Sequence, residues 1–326
     1  MKKKLPLFAL LCILTFSCVT TPDIRPGSAL SGADGISAIQ AERLGIERQI
    51  LLGSPASLEK AASAADQALL VDKAEARTYF WLAHEIARLV YPELTATQLA
   101  PAEAPPENAL AKAFIDARNG RPLAFPDGAG PLFDLMPLLV VFRVKTPAAS
   151  ISALSAFERF SRLGIPSAIA ELSRALALER SGDAAGALAS FSKSLDEAPD
   201  CYPAAFGKAN LLVASGKAIE AMDVLSQVDS SVRGNLAYRR AYSNALYGAG
   251  RWAEALPLIT TVLLEDPMDS RFLLMRAHLL VERGEYKLAS PLLDAFAGVD
   301  PNDRLYILLK ARSAAENAKD RASALA

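Results

Sequence analysis

Residues 182–188 read Gly-Asp-Ala-Ala-Gly-Ala-Leu, and residues 250–256 read Gly-Arg-Trp-Ala-Glu-Ala-Leu. The glycine that opens both segments recurs every 34 residues, at Gly182, Gly216, Gly250 and Gly284. A period of 34 residues is typical of a helix–turn–helix unit, which cannot bury its apolar face alone and must stack on copies of itself. The second half of the chain is therefore predicted to be an array of paired helices.

Four further columns keep the same step as the glycines. A small residue lies seven positions before each glycine, leucine lies four before, alanine lies five after, and a large apolar residue lies nine after. In that order the columns are Ala175, Ala209, Ser243 and Ala277; Leu178, Leu212, Leu246 and Leu280; Ala187, Ala221, Ala255 and Ala289; Phe191, Leu225, Ile259 and Leu293. We expect a first helix of about 13 residues, a glycine turn, and an antiparallel second helix, with the small residues where the two backbones approach. Proline ends three of the second helices, near Pro199, Pro267 and Pro301.

These turns and columns resemble the tetratricopeptide repeat over residues 168–303. The resemblance implies an all-α, right-handed α-solenoid whose first helices line a concave wall. One column departs from the family pattern, because Glu171, Ala205 and Arg239 stand where a bulky residue is usual. We expect charged residues such as Glu171 to be solvated.

The register extends in both directions. Ala148 lies 34 residues before Gly182, at the position of the turn, and Ala153 and Phe157 fall in the small and large columns. This predicts a degenerate repeat at 134–167 despite Pro137. One step downstream, a last helix begins near Arg304 and turns polar, as a capping helix at 304–326 should.

The N-terminus has the pattern of a secretion signal. Lys2, Lys3 and Lys4 precede an apolar run from Leu5 to Phe16, too short for a stable membrane span, and Cys18 follows Ser17. The cysteine context resembles a relaxed bacterial lipobox of the spirochaetal type, which implies cleavage after residue 17 and lipid on Cys18. The protein would then be lipid-anchored in the cell envelope, on the inner or outer membrane, facing the periplasm. An ordinary signal peptide cleaved elsewhere is the alternative.

The remaining segments are assigned from composition and helical periodicity. Residues 18–36 form a flexible tether, and residues 37–91 form N-terminal helices in which Ala61, Ala68 and Ala83 have repeat-like spacing. Residues 92–133 form a proline-rich connector with one short helix, and the apolar stretch 132–144 is expected to be a buried helix rather than a membrane segment.

Composition and spacing argue against several functions. Without residues 1–17, which carry three lysines and no acids, 32 basic residues face 36 acidic ones, so nucleic acid is a poor partner. Cys201 would be the only thiol left unmodified, and we expect it to be packed and inert. No second metal ligand stands at metal-site spacing from His84 or His278, and no phosphate loop or nucleophile elbow occurs. We expect no catalysis and no cofactor.

The predicted concave wall is the candidate binding site. Partner-binding residues are predicted at Phe206, Asn210, Arg240, Asn244, Tyr247, Arg271 and His278, because amide, imidazole and aromatic side chains there could hold an extended peptide. Arg240 and Tyr247 in particular are expected to be largely solvent-accessible. The predicted function is a non-catalytic scaffold for a protein or peptide partner. The alternative is an accessory subunit of a periplasmic solute transporter of the TRAP type, whose lipoprotein components with cryptic repeats this chain loosely resembles.

Overall fold

The structure is a computed structural model that describes residues 32–68, 73–94, 105–121, 123 and 130–325. Cys18 and the predicted signal peptide lie outside the described residues. Residues from Arg43 onward form one compact unit, and the contacts reported below belong to it.

The described residues form helices joined by turns and loops, and they contain no strand. The elements are α1 (Gly32–Leu52), α2 (Pro55–Ala68), α3 (Lys73–Val90), α4 (Ala109–Arg118), α5 (Pro131–Leu135), a 3-10 helix (Met136–Phe142), α6 (Pro147–Ser161), α7 (Ala168–Arg180), α8 (Ala184–Glu197), α9 (Tyr202–Ala214), α10 (Ala218–Ser226), α11 (Leu236–Gly248), α12 (Trp252–Glu265), α13 (Ser270–Glu282), α14 (Tyr286–Ala297) and α15 (Arg304–Leu325). Successive pairs from α7 to α14 form the predicted α-solenoid.

The turn glycines and the small columns explain how each pair closes. All four turn glycines have positive φ, between 73° and 86°, a backbone conformation that side chains with a Cβ rarely adopt. Every member of the two small columns is fully buried, so the two helices of each pair meet at these residues. The large residues nine positions after the glycines are buried as well. These predictions are confirmed.

The second helix of the second repeat is shorter than predicted. Helix α10 has 9 residues, whereas α8 and α12 have 14 each. Its connection to α11 is a series of turns in which the Ser231 amide donates to the Asp229 carboxylate at 2.8 Å. Aspartate and serine favour such local hydrogen bonds over helix, so the chain leaves the helix early.

The segment upstream of the repeats is less regular than the sequence predicts. Pro137 has no amide hydrogen to continue an α-helical ladder, and the chain follows a 3-10 path from Met136 to Phe142. Ala148 lies in the first turn of α6 and not in the predicted turn, because Thr146 caps the helix by accepting from the Ala149 amide. Ala153 is buried, as its column requires. No helix in the described parts of the chain is both long enough and apolar enough to span a membrane.

Glu171 is buried, and the prediction that it is solvated is wrong. Its carboxylate forms a hydrogen-bonded ion pair with Lys193 on α8, and Arg174 lies 3.8 Å away. The position faces the second helix of its own repeat, so the carboxylate replaces an apolar contact with a charged one.

The N-terminal helices pack directly on the first repeats. The Tyr91 hydroxyl donates to the Gly53 carbonyl at 2.8 Å and lies 3.4 Å from the Cys201 sulfur, and the Ala56 amide donates to Asp200 at 3.0 Å. Cys201 is fully buried, and burial raises the pKa of its thiol. The predicted packed, unreactive thiol therefore lies where the N-terminal helices meet the repeats.

Candidate functional site

Four first helices place a polar side chain at the same register position. Asn210, Asn244 and His278 lie six residues before their turn glycines on α9, α11 and α13, and Arg312 occupies the equivalent position on α15. Because each first helix packs beside the next, side chains 34 residues apart become neighbours. The result is a ladder of polar residues across successive repeats.

The first part of the ladder is a chain of amide contacts. The Asn244 side-chain nitrogen donates to the Asn210 oxygen at 3.1 Å, and Arg271 donates to the Asn244 oxygen at 2.6 Å. Asn244 is only 2% exposed, so these bonds satisfy a buried amide. Arg271 itself is exposed at the solvent side of this chain.

The second part of the ladder centres on His278. The Tyr247 hydroxyl lies 2.6 Å from His278 Nδ1, and the Trp252 ring contacts the imidazole edge-on with centroids 5.5 Å apart. Glu282 lies 3.9 Å from His278 Nε2 and forms an ion pair with Arg312. Burial lowers the pKa of His278, and the nearby Arg312 lowers it further, whereas Glu282 opposes the shift. The lowered pKa favours the neutral imidazole, which shares one hydrogen bond with the Tyr247 hydroxyl through Nδ1.

Two of the predicted wall residues serve the structure of the repeats. Phe206 is buried between the rings of Tyr202 and Tyr238. Arg240 pairs with Asp266 at 2.5 Å and Asp269 at 3.0 Å, which ties α11 to the connection before α13.

The expectation that Arg240 and Tyr247 are largely solvent-accessible is wrong, because both side chains are half-buried and bonded within the chain. The seven predicted residues do lie on consecutive first helices, α9, α11 and α13. Their polar groups, however, are satisfied largely by one another. The surface they offer a partner is consequently narrower than predicted, with Arg271 exposed and Asn210, Tyr247 and His278 half-exposed.

Trp252 is a feature of this face that the sequence analysis missed. It is the first residue of α12, is 42% exposed, and covers His278 from the turn side. The predicted wall residues all lie on first helices, whereas Trp252 lies at the start of a second helix, α12. An exposed tryptophan beside a polar ladder is the type of residue that anchors protein interfaces.

Outside this face, one cleft near the N-terminal helices contains several titratable side chains. Among the described residues, no group of three His, Cys, Asp or Glu side chains is arranged to hold a metal ion. The cleft, of about 390 Å³ between α1, α3 and α5, is lined by Arg43, Glu47 and Tyr79, but these groups bond to one another. Tyr79 donates to Glu47 at 2.6 Å, and burial raises the pKa of its phenol.

Comparisons with known proteins identify the repeats. Residues 178–245 and 246–313 match one sequence model described as tetratricopeptide repeat, and residues 152–201 match a second model of the same description. A tetratricopeptide repeat protein from Parabacteroides merdae, solved by crystallography, aligns at 15% identity with a TM-score of 0.41, covering 87% of this chain and 90% of that one. No curated protein has significant sequence similarity to the chain. Residues 152–313 of the chain thus match sequence models of the tetratricopeptide repeat.

Proposed function

We propose that the tetratricopeptide repeats of this chain make it a non-catalytic scaffold that binds a protein or peptide partner on the face formed by α9, α11 and α13. The observation that carries the proposal is the ladder from Asn210 to Arg312, which fixes polar groups at regular spacing along one face. Hydrogen bonds within the ladder hold these groups in place before a partner arrives, which lowers the entropy lost on binding. Arg271 and Trp252 supply exposed arginine and aromatic surface at its edge.

A matched pair of arginine variants on α13 tests this face. Arg271→Ala removes the guanidinium that donates to Asn244 on the ladder, and Arg283→Ala removes one directly after the end of the same helix, where it pairs with Glu285 at 2.9 Å. Immobilised wild-type and variant chains would be exposed to solubilised envelope proteins, and the captured proteins quantified by mass spectrometry. We expect Arg271→Ala to weaken retention of specific partners by about 30-fold, the effect of losing a binding hot spot of about 2 kcal/mol. Equal losses from Arg283→Ala would contradict the assignment.

We also propose that the scaffold is a lipoprotein of the cell envelope, anchored through Cys18 and facing the periplasm. Support comes from the basic residues Lys2 to Lys4, the short apolar run to Phe16 and the cysteine that follows Ser17. Cys18→Ala should abolish incorporation of labelled palmitate, because thioether formation needs that sulfur. Cys12→Ala, inside the apolar run, is the control and should leave labelling unchanged. Palmitate entering the Cys18→Ala chain would refute the anchor.

A further inference from the structure

Helix α15 has the register of a first helix, and no second helix of the same repeat packs on it among the described residues. Helix α15 follows α14 at the register of the repeats and packs on α13 and α14, as the earlier first helices pack on their predecessors. In every complete repeat, the small residue seven positions before the turn is fully buried by the second helix. The equivalent residue of α15, Ala311, is exposed.

The uncovered face of α15 is apolar. Ile307 and Leu308 are 51% and 63% exposed, and the alanines that continue the same helical stripe, Ala311, Ala314, Ala315 and Ala318, are exposed as well. Residues at these three- and four-residue intervals lie on one side of a helix. A helix end that only capped the solenoid would present polar residues here.

A cleft runs beside this stripe. Ala314 occupies the column that holds leucine in all four repeats, and the lost volume contributes to a cleft of about 420 Å³ between α14 and α15. Leu293 and Ala318 lie in its walls, with Ser290, Asp294 and Asn317 contributing the polar groups. The stripe and the cleft together form the terminal face of the solenoid.

We propose that a second copy of this chain covers the terminal face, with the two α15 helices packed antiparallel about a two-fold axis near Ser313. Each α15 would then occupy, on the other copy, the place that a second helix has in a complete repeat. Helices within every repeat are antiparallel and meet at alanine or serine against alanine, and the two-fold arrangement places Ala311 against Ala315 of the other copy in the same way.

The arrangement also matches large residues to small ones and charge to the helix dipole. Leu308 meets Ala318 of the other copy, so the most exposed apolar residue of the face covers an alanine. Arg304, at the start of α15, comes near the C-terminal end of the other α15, where a cation is favourable. A helix of an unrelated protein could also pack on the alanines, but the pairing of Leu308 with Ala318 requires a second α15.

Oligomeric state tests the proposal directly. The full chain would be studied by sedimentation velocity in a mild detergent that masks the apolar segment 5–16, from about 1 to 300 µM, since an interface of two short helix faces should be weak. We expect a reversible monomer–dimer equilibrium. Leu308→Glu should raise the dimer dissociation constant at least tenfold, whereas Leu288→Glu, on an equally exposed leucine of α14, should leave it unchanged. A chain that stays monomeric throughout, or equal effects of the two variants, would overturn the proposal.

Crosslinking tests the antiparallel register. Ala311→Cys and Ala315→Cys chains, each with Cys12 and Cys18 replaced by serine, would be oxidised separately and as a mixture. An antiparallel pair brings residue 311 close to residue 315 of the other copy, within the short Cα separation that a disulfide requires. Disulfide dimers should therefore form best in the mixture. Dimers that form equally well in each separate sample would indicate parallel pairing and reject this register.

Discussion

Glu171 is a charged residue at a position where the repeat pattern usually has a bulky one. The residue lies eleven positions before its turn glycine, on the inner side of α7, and its carboxylate is buried against Lys193 and Arg174. Taking a carboxylate out of water costs free energy that a partner recovers only in part. The Oε2 oxygen has no hydrogen-bond partner, so the compensation at this site is incomplete.

Two substitutions at this pair should have opposite effects on stability. Glu171→Leu replaces the buried charge with an apolar side chain of similar size and should leave the free energy of unfolding unchanged or raise it. Lys193→Ala leaves the carboxylate buried without its hydrogen-bond donor and should lower that free energy by about 1–3 kcal/mol. Urea unfolding followed by circular dichroism would measure both. Lys287→Ala, an exposed lysine on α14, is the control, and a Glu171→Leu chain less stable than Lys193→Ala would contradict this account.

The residue positions that sequence could predict are those fixed by backbone geometry. A turn with positive φ requires glycine, and a close helix contact requires a small side chain, so Gly250 and Ala255 were identifiable from spacing alone. The hydrogen bond between Asn210 and Asn244 could not be predicted from spacing, because it depends on how closely α9 and α11 pack side by side. Polar side chains one repeat apart form hydrogen bonds with one another, so fewer of their polar groups are left to contact a partner.

At the scale of helices, packing within a repeat depends on small side chains that let the two helix backbones approach closely. Ala255 on α12 and Ser243 on α11 are both fully buried where the two helices meet. Buried side chains of α11, α12 and α13 form one cluster, and those of α13, α14 and α15 form another, so successive repeats share apolar cores. Strain in one pair should therefore reach its neighbours and decline with distance.

Ala255→Leu should destabilise the third repeat. Three extra carbons at a filled contact cost about 1–3 kcal/mol, because neighbouring side chains must leave their preferred rotamers. Ala253→Leu, an exposed position on the same helix, should have an effect near zero. Amide hydrogen exchange should show faster opening in α11 to α13 than in α7 for the Ala255 variant. A melting temperature equal to that of Ala253→Leu would mean that Ala255 does not face α11.

Helices outside the repeat array were harder to place from sequence. The break between α1 and α2 follows from Gly53 and Pro55, whereas the 3-10 path after Met136 depends on Pro137 in its tertiary setting. Periodicity identifies a helix but not the surface on which it packs. The contact of the N-terminal helices with the repeats therefore had no sequence signal.

On the scale of the whole molecule, the N-terminal helices and the first repeats share one core. Buried side chains from Ile46 to Ala245 form a single cluster, which includes Tyr91, Ile169 and Cys201. Gly53 lies at the centre of this contact, with φ of 71° and its backbone against Ile169. The N-terminal helices thus cover the first repeats, whereas an apolar face of α15 is exposed in the described part of the chain.

A comparison of Gly53→Ala with Gly250→Ala should show how much free energy of unfolding is lost through the contact with Ile169, beyond the strain of the left-handed turn. A Cβ at Gly53 would lie 2.5 Å from the Ile169 side chain, whereas a Cβ at Gly250, with nearly the same φ of 73°, would meet nothing within 4 Å. Both alanine variants carry the cost of a left-handed backbone, about 1–2 kcal/mol. Only Gly53→Ala adds overpacking, which should bring a further loss of about 1–3 kcal/mol in the free energy of unfolding. Urea unfolding of the two variants measures the difference, and Ile169→Ala, which makes room for the new methyl group, should reduce the additional loss caused by Gly53→Ala. Equal losses at Gly53 and Gly250 would mean that α1 and α2 do not pack on the first repeat as the structure shows.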